Sequence, residues 1–123
     1  MKSVIGIDYG TQSARAVLLS VETGELLGIH TVKYPCGVME GGLASAKDYE
    51  NALDELLCYM AEIAKNKTRI IGIGVDATSL TLVPLDSSGC VLSNLPEFAG
   101  QEHAQIKLWK RHTANTQAQE ALD

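Results

Sequence analysis

Within the short run Asp8-Tyr9-Gly10-Thr11-Gln12-Ser13-Ala14-Arg15 stand the residue types that handle phosphate. A glycine in a tight turn lets backbone N–H groups come close to an anion. The hydroxyls of Thr11 and Ser13 add hydrogen bonds, and Gln12 belongs to the same loop. Arg15 brings a permanent positive charge on a planar fork. Asp8 is ill suited to touch phosphate, because two anions repel. It is suited to Mg²⁺, held through water, with the metal bridging to phosphate oxygens. A second aspartate echoes the first: Ile5-Gly6-Ile7-Asp8 and Ile73-Gly74-Val75-Asp76 are both apolar runs that end in a carboxylate. If these runs are parallel neighbours, both carboxylates leave the sheet at one edge, where open α/β sheets bind ligands. Two rival nucleotide signatures fail. Gly72-x-Gly74-x-x-Ala77 has its glycines inside a strand and is followed by more strand, whereas the dinucleotide fingerprint needs a helix there. No G-x-x-x-x-G-K-[ST] occurs.

The elements that must hold these residues follow from patterning. Val4 to Ile7, Ala14 to Ser20 and Leu26 to Val32 are apolar runs joined by the turns Tyr9–Gln12 and Glu22–Glu25. Such short connections predict a three-stranded antiparallel meander. A linker from Tyr34 to Gly42 follows. Ser45-x-x-Asp48 reads as a capping box. Behind it Tyr49, Ala52, Leu53, Leu56, Leu57, Met60, Ile63 and Ala64 recur at helical spacing, with Asn66 as a stop. Ile70 to Val75 reads as a strand buried on both faces and parallel to the first, its glycines letting a neighbour pack close. Leu80–Leu85 and Cys90–Leu92 read as a hairpin around Asp86–Gly89, and Leu95–Gly100 as a loop. Glu102–Leu122 is compatible with a helix. Strand-strand-strand-helix-strand is the ribonuclease-H-like order, the unit of the actin-like ATPases.

Composition bounds the function. The chain has 123 residues, 46% hydrophobic and 20% charged, with a net charge of −5. A 13.2 kDa chain buries about two-thirds of its surface, enough for one core. The acidic balance argues against nucleic acid or an anionic membrane as partner. No apolar run reaches the length of a signal peptide's core or a membrane span. Cys36, Cys58 and Cys90 form neither a disulfide framework nor a zinc pattern, and read as reduced thiols of a cytoplasmic protein.

Asp8-x-Gly10-Thr11-x-x-x-Arg15 resembles the first phosphate motif of the FGGY carbohydrate kinases. The likeness extends through Tyr34-Pro35-x-Gly37-Val38-Met39, Gly74-Val75-Asp76-Ala77-Thr78 with Thr81, Pro84-Leu85-Asp86, Leu95-Pro96-Glu97-Phe98 and Leu108-Trp109-Lys110-x-His112-Thr113-Ala114. The Pro-Glu-Phe and Trp-Lys-x-His-Thr-Ala segments are most similar to the ribulokinase branch. The resemblance implies an α/β, actin-like fold with a mixed sheet and transfer of the γ-phosphoryl group of Mg·ATP to a pentulose. It places Gly10, Thr11, Gln12, Ser13 and Arg15 on the ATP phosphates and Asp8 on Mg²⁺. It places Asp76, Thr78, Ser79, Glu97, Phe98, Trp109 and Lys110 on the sugar side.

The pattern is broken at two places. Gly42–Ala46 holds small residues where a Trp/Gln-containing stretch and a proline are expected, and Arg111 stands where several members are acidic. Members are also several times longer, and the general-base aspartate is expected downstream. Residues 1–123 therefore read as the N-terminal part of the first actin-like domain, inactive alone, with exposed surface that favours a homodimer. The competing reading is a non-catalytic module that binds a nucleotide or a partner on the same scaffold.

Overall fold

The structure, a computed structural model, describes residues 1–122. Three strands run as the expected meander: β1 (Lys2–Tyr9), β2 (Ser13–Ser20) and β3 (Leu26–Lys33). β4 (Leu43–Ala44) precedes the helix α1 (Ala46–Ala64), which leads to β5 (Arg69–Ala77). The main sheet has the order β3-β2-β1-β5, antiparallel except for β5, which lies parallel to β1.

α1 covers one face of this sheet. Its stripe of Ala52, Leu56, Met60 and Ala64 is buried against Ile5, Ile7, Ala14, Ala16 and Leu18. The small side chains of β2 bring the helix close. On β3 it comes closer still: a Cβ at Gly28 would lie 2.5 Å from Ile63 Cδ1. The helix stops where expected, with Asn66 in the left-handed region at φ 60°. Its start differs. Ser45 is the N-cap residue, but its hydroxyl makes no capping bond. Asp48 is buried and accepts the Cys36 N–H at 2.9 Å, so the linker takes the carboxylate that a capping box would have used.

β5 is not buried on both faces. Ile71, Ile73 and Val75 are 49%, 54% and 64% exposed. By register they share a face with Ile5 and Ile7, but α1 lies over β2 and β3 and leaves the β5 edge uncovered. No close neighbour explains its glycines either: a Cβ at Gly74 would meet nothing within 4 Å. The exposed surface totals 7914 Å², against roughly 6,400 Å² for a closed globule of this mass.

After β5 the chain departs from its pattern. The expected hairpin shrinks to one bridge, Leu85 with Val91. Asp86 Oδ1 accepts the N–H groups of Ser88 and Cys90 at 2.8 and 2.9 Å, and Pro84 has no N–H to extend the ladder. Leu95–Gly100 holds a single 3₁₀ turn at Pro96–Phe98. The helix-compatible stretch Glu102–Leu122 is helical only at its end, as the short α2 (Asn115–Leu122), after a 3₁₀ turn at Glu102–Ala104 and β6 (Ile106–Lys107). Burial explains the break. Ile106 pairs with Ala44 and fills a second small core with Ala46 and Leu108. No helix among the described residues is long and apolar enough to cross a membrane.

Candidate functional site

The register places the motif residues in rows on the face away from α1. Thr31, Arg15, Asp8 and Asp76 are successive cross-strand partners and form one row across all four strands. Ile29, Val17, Gly6 and Gly74 form the next row. The glycines keep the floor low. An open cleft of about 430 Å³ results, lined by Asp8, Arg15, Asp76, Gly6, Gly74 and Val17 among others. It lies toward the C-terminal ends of the two parallel strands. The Arg15 side chain is steadied by Nε donating to Thr31 Oγ1 at 3.3 Å.

The β1–β2 turn closes one end of this region. The Gly10 N–H donates to the Ser13 carbonyl at 2.8 Å. Gly10 is required by space, since a Cβ there would lie 2.9 Å from that same oxygen. The role expected for Gly10 thus changes in detail. Its own N–H is used inside the turn, and the Thr11 and Gln12 amides are the ones that donate to no oxygen among the described residues. A second hollow of about 330 Å³ beside the turn is lined by Gln12, Ser13, Lys33 and Tyr34 among others. Lys33 is the register partner of Ser13, which puts a cation next to the loop; sequence alone gave it no partner.

Tyr34, which the sequence marks only as part of the Tyr34-Pro35-x-Gly37 likeness, stands just past β3. It is 5% exposed, its hydroxyl donates to the Gly10 carbonyl at 3.1 Å, and its N–H donates to the Gln12 carbonyl at 3.0 Å. Its ring lies 4.8 Å from Tyr49, whose ring lies 5.5 Å from Tyr9. Burial, first, and then the neighbouring tyrosines and the Asp8 and Asp48 carboxylates push the Tyr34 phenol far above its ordinary value. Burial likewise raises Tyr9 and Tyr49. All three phenols stay neutral, and those of Tyr9 and Tyr34 donate to backbone carbonyls.

The remaining sugar-side candidates are not in the cleft. Thr78 continues β5, its N–H donating to Tyr9 O at 3.1 Å and its hydroxyl sharing a 2.6 Å bond with Thr81. Ser79 is exposed beside Leu80, which adopts a left-handed φ of 55°. This is a conformation that a branched residue holds only under constraint. Glu97 and Phe98 occupy the 3₁₀ turn after Leu95. Trp109 is half-exposed, with Lys110 Nζ 5.5 Å from its ring centre. Both follow β6, which Leu82 joins through paired 2.9 Å backbone bonds. The two breaks in the motif pattern meet here. The Arg111 guanidinium donates to Gly41 O at 3.0 Å and to Glu102, and a Cβ at Gly42 would lie 2.8 Å from the Arg111 nitrogen. Small residues at Gly41–Gly42 thus make room for Arg111. Its hydrogen bond, and then its charge, holds the Glu102 carboxyl below the usual range.

The two expected ligands fit the donor set by composition. Mg²⁺ keeps most of its waters and takes one or two carboxylates with substrate phosphates. The Asp8–Asp76 pair beside an open cleft, with Arg15 and two undonated amides nearby, meets that need.

Comparison with known proteins agrees with this geometry. The family model for the FGGY family of carbohydrate kinases, N-terminal domain, matches residues 3–122. The ribulokinase of Shouchella clausii is 38% identical over 130 residues, covering 94% of this chain and 23% of that protein. The ribulokinase of Geobacillus thermodenitrificans is 37% identical, covering 95% of this chain and 23% of that protein. The chain thus spans about a quarter of the length of the curated relatives it matches. Among solved structures, a ligand-bound xylulose kinase from Lactobacillus acidophilus superposes with TM-score 0.77 at 22% identity, covering 99% of this chain and 22% of that one. A glycerol kinase with ADP from Plasmodium falciparum superposes with TM-score 0.73 at 16% identity, covering 98% and 23%. The fold is therefore the actin-like ATPase fold expected from the element order. With a family model matched over almost its whole length, the chain belongs to the FGGY family of carbohydrate kinases.

Proposed function

We propose that residues 1–123 are the N-terminal part of the first actin-like domain of a ribulokinase-like sugar kinase, which phosphorylates a pentulose with Mg·ATP in the cytoplasm. The observation that carries this is the row Arg15–Asp8–Asp76 beside the Gly10–Ser13 turn, in a chain of this family. The ribulokinase names of the relatives and the shared Pro-Glu-Phe and Trp-Lys-x-His segments support a pentulose as acceptor.

Asp8 would hold Mg²⁺, and Arg15, Ser13 and the amides of Thr11 and Gln12 would hold the phosphate oxygens. When bound, Mg·ATP supplies the phosphoryl group and the metal neutralises its charge. Asp76 and Thr78 form the sugar-side wall at the strand ends. Ser79, Glu97, Phe98, Trp109 and Lys110 would act from the segments that follow β5. The general base that takes the sugar's hydroxyl proton lies outside these residues, so residues 1–123 alone turn over nothing. Neither nucleic acid nor membrane is a partner, and a second copy meeting at β5 makes a homodimer.

The test is sugar-dependent ADP production by the native polypeptide that carries these residues, across a panel of pentuloses and hexoses. A pentulose should give the highest kcat/KM. Asp8→Ala should lower the rate at least a hundredfold, in line with loss of a metal and phosphate anchor. A near-normal rate removes Asp8 from that role, and turnover by residues 1–123 alone overturns the need for a further base.

A further inference from the structure

A turn that binds an anion must present N–H groups and hide its carbonyls. Of the four carbonyls of the Gly10–Ser13 turn, three are already engaged, and Thr11 O alone accepts from no donor among the described residues. Ser13 O accepts from Gly10 N–H at 2.8 Å. The other two are engaged by one residue: Gln12 O by the Tyr34 N–H at 3.0 Å and Gly10 O by the Tyr34 hydroxyl at 3.1 Å. The amides of Thr11 and Gln12 are left without an acceptor among the described residues. From these bonds we infer that Tyr34 is a positioning residue for nucleotide binding, which biases the polarity of the phosphate turn by capturing two of its four carbonyls from the protein side.

The surroundings suit that task. Tyr34 is buried in the core under α1, and its ring is fixed against Tyr49 of that helix. A buried ring has few rotamers to lose, so the hydroxyl holds its place without help from the ligand. The neutral phenol remains a donor across the physiological range. A bare carbonyl turned toward a phosphate would instead repel it. The inference rests on reading the turn as the nucleotide-phosphate site.

Tyr34→Phe removes one hydrogen bond and leaves the ring and the amide bond in place. In the native polypeptide, calorimetry should show MgADP binding weakened about fivefold, the usual worth of one neutral hydrogen bond. Sugar affinity should stay within about twofold, which a general loss of structure would not produce. Tyr49→Phe is the matched control. Its hydroxyl is buried with no partner, so its removal should leave MgADP affinity unchanged. Should Tyr34→Phe fail to fold, the wild type still decides by hydrogen exchange. The Tyr34 amide should gain protection when MgADP binds, and an unchanged amide overturns the inference. A wild type that binds MgADP alongside a Tyr34→Phe variant of equal affinity overturns the role of Tyr34 alone. A wild type that binds no MgADP overturns the reading of the turn, and this inference with it.

Discussion

Gly10 is fixed by a single oxygen. A methyl at its Cα would sit 2.9 Å from the Ser13 carbonyl, a backbone atom that cannot swing aside. Gly10→Ala should therefore open the turn, cost about 1–3 kcal/mol of stability by overpacking and weaken MgADP more than Tyr34→Phe does. Thermal melting and calorimetry on one sample separate the two effects. The three raised tyrosines make a pH prediction at the same scale. Burial raises Tyr9, Tyr34 and Tyr49 above the ordinary phenol value of 10.0 in the folded state. The unfolded chain therefore loses those protons first as pH rises. Their contribution is intact below about pH 10 and is lost above it. Stability should fall above pH 10, with tyrosinate absorbance rising together with unfolding. A phenol that ionises freely at its ordinary value while the fold persists contradicts this.

The meander, α1 and β5 were legible as elements because their periods are clean and their connections short. The Asp8–Asp76 pairing was legible too, since two identical strand endings could be laid side by side. What followed β5 was not. The Leu80–Leu92 pattern alternates well enough for a hairpin, but Asp86 satisfies with its side chain the amides a ladder would need. Only the end of the helix-compatible stretch Glu102–Leu122 is helix, because the burial of Ile106 depends on Ala44, far away in sequence. Tyr34 was passed over because nothing local marks a tyrosine that bonds to a turn more than twenty residues back. Within α1, Leu56 is wholly buried. Leu56→Ala should cost about 3 kcal/mol, read as a lower denaturation midpoint. Ligand affinity should be unchanged while the protein is folded, because Leu56 faces the other side of the sheet.

At the scale of the molecule, α1 covers the sheet over β2 and β3 and leaves β5 bare. β5 offers an unpaired edge and a strip of Ile71, Ile73 and Val75, the kind of edge that joins to another chain. Residues 1–123 produced alone should self-associate with concentration, and Ile73→Lys, on the α1-side face that the helix leaves uncovered at β5, should reduce it. Light scattering that is flat with concentration for the wild type would refute this.

The strand order also implies a sequence of events. β1, β2 and β3 are neighbours along the chain and can zip together through short turns. β5 reaches β1 only after the linker and the whole of α1 have been looped out, and closing such a long loop is slow. The row that brings Asp8 beside Asp76 is thus completed late in folding, by one long-range docking step. Refolding followed at both places should find the meander protected early and the cleft assembled afterward. A ligand held between Asp8 and Asp76 would then bind only once that docking is done, and would act as a ratchet on the slowest step of folding.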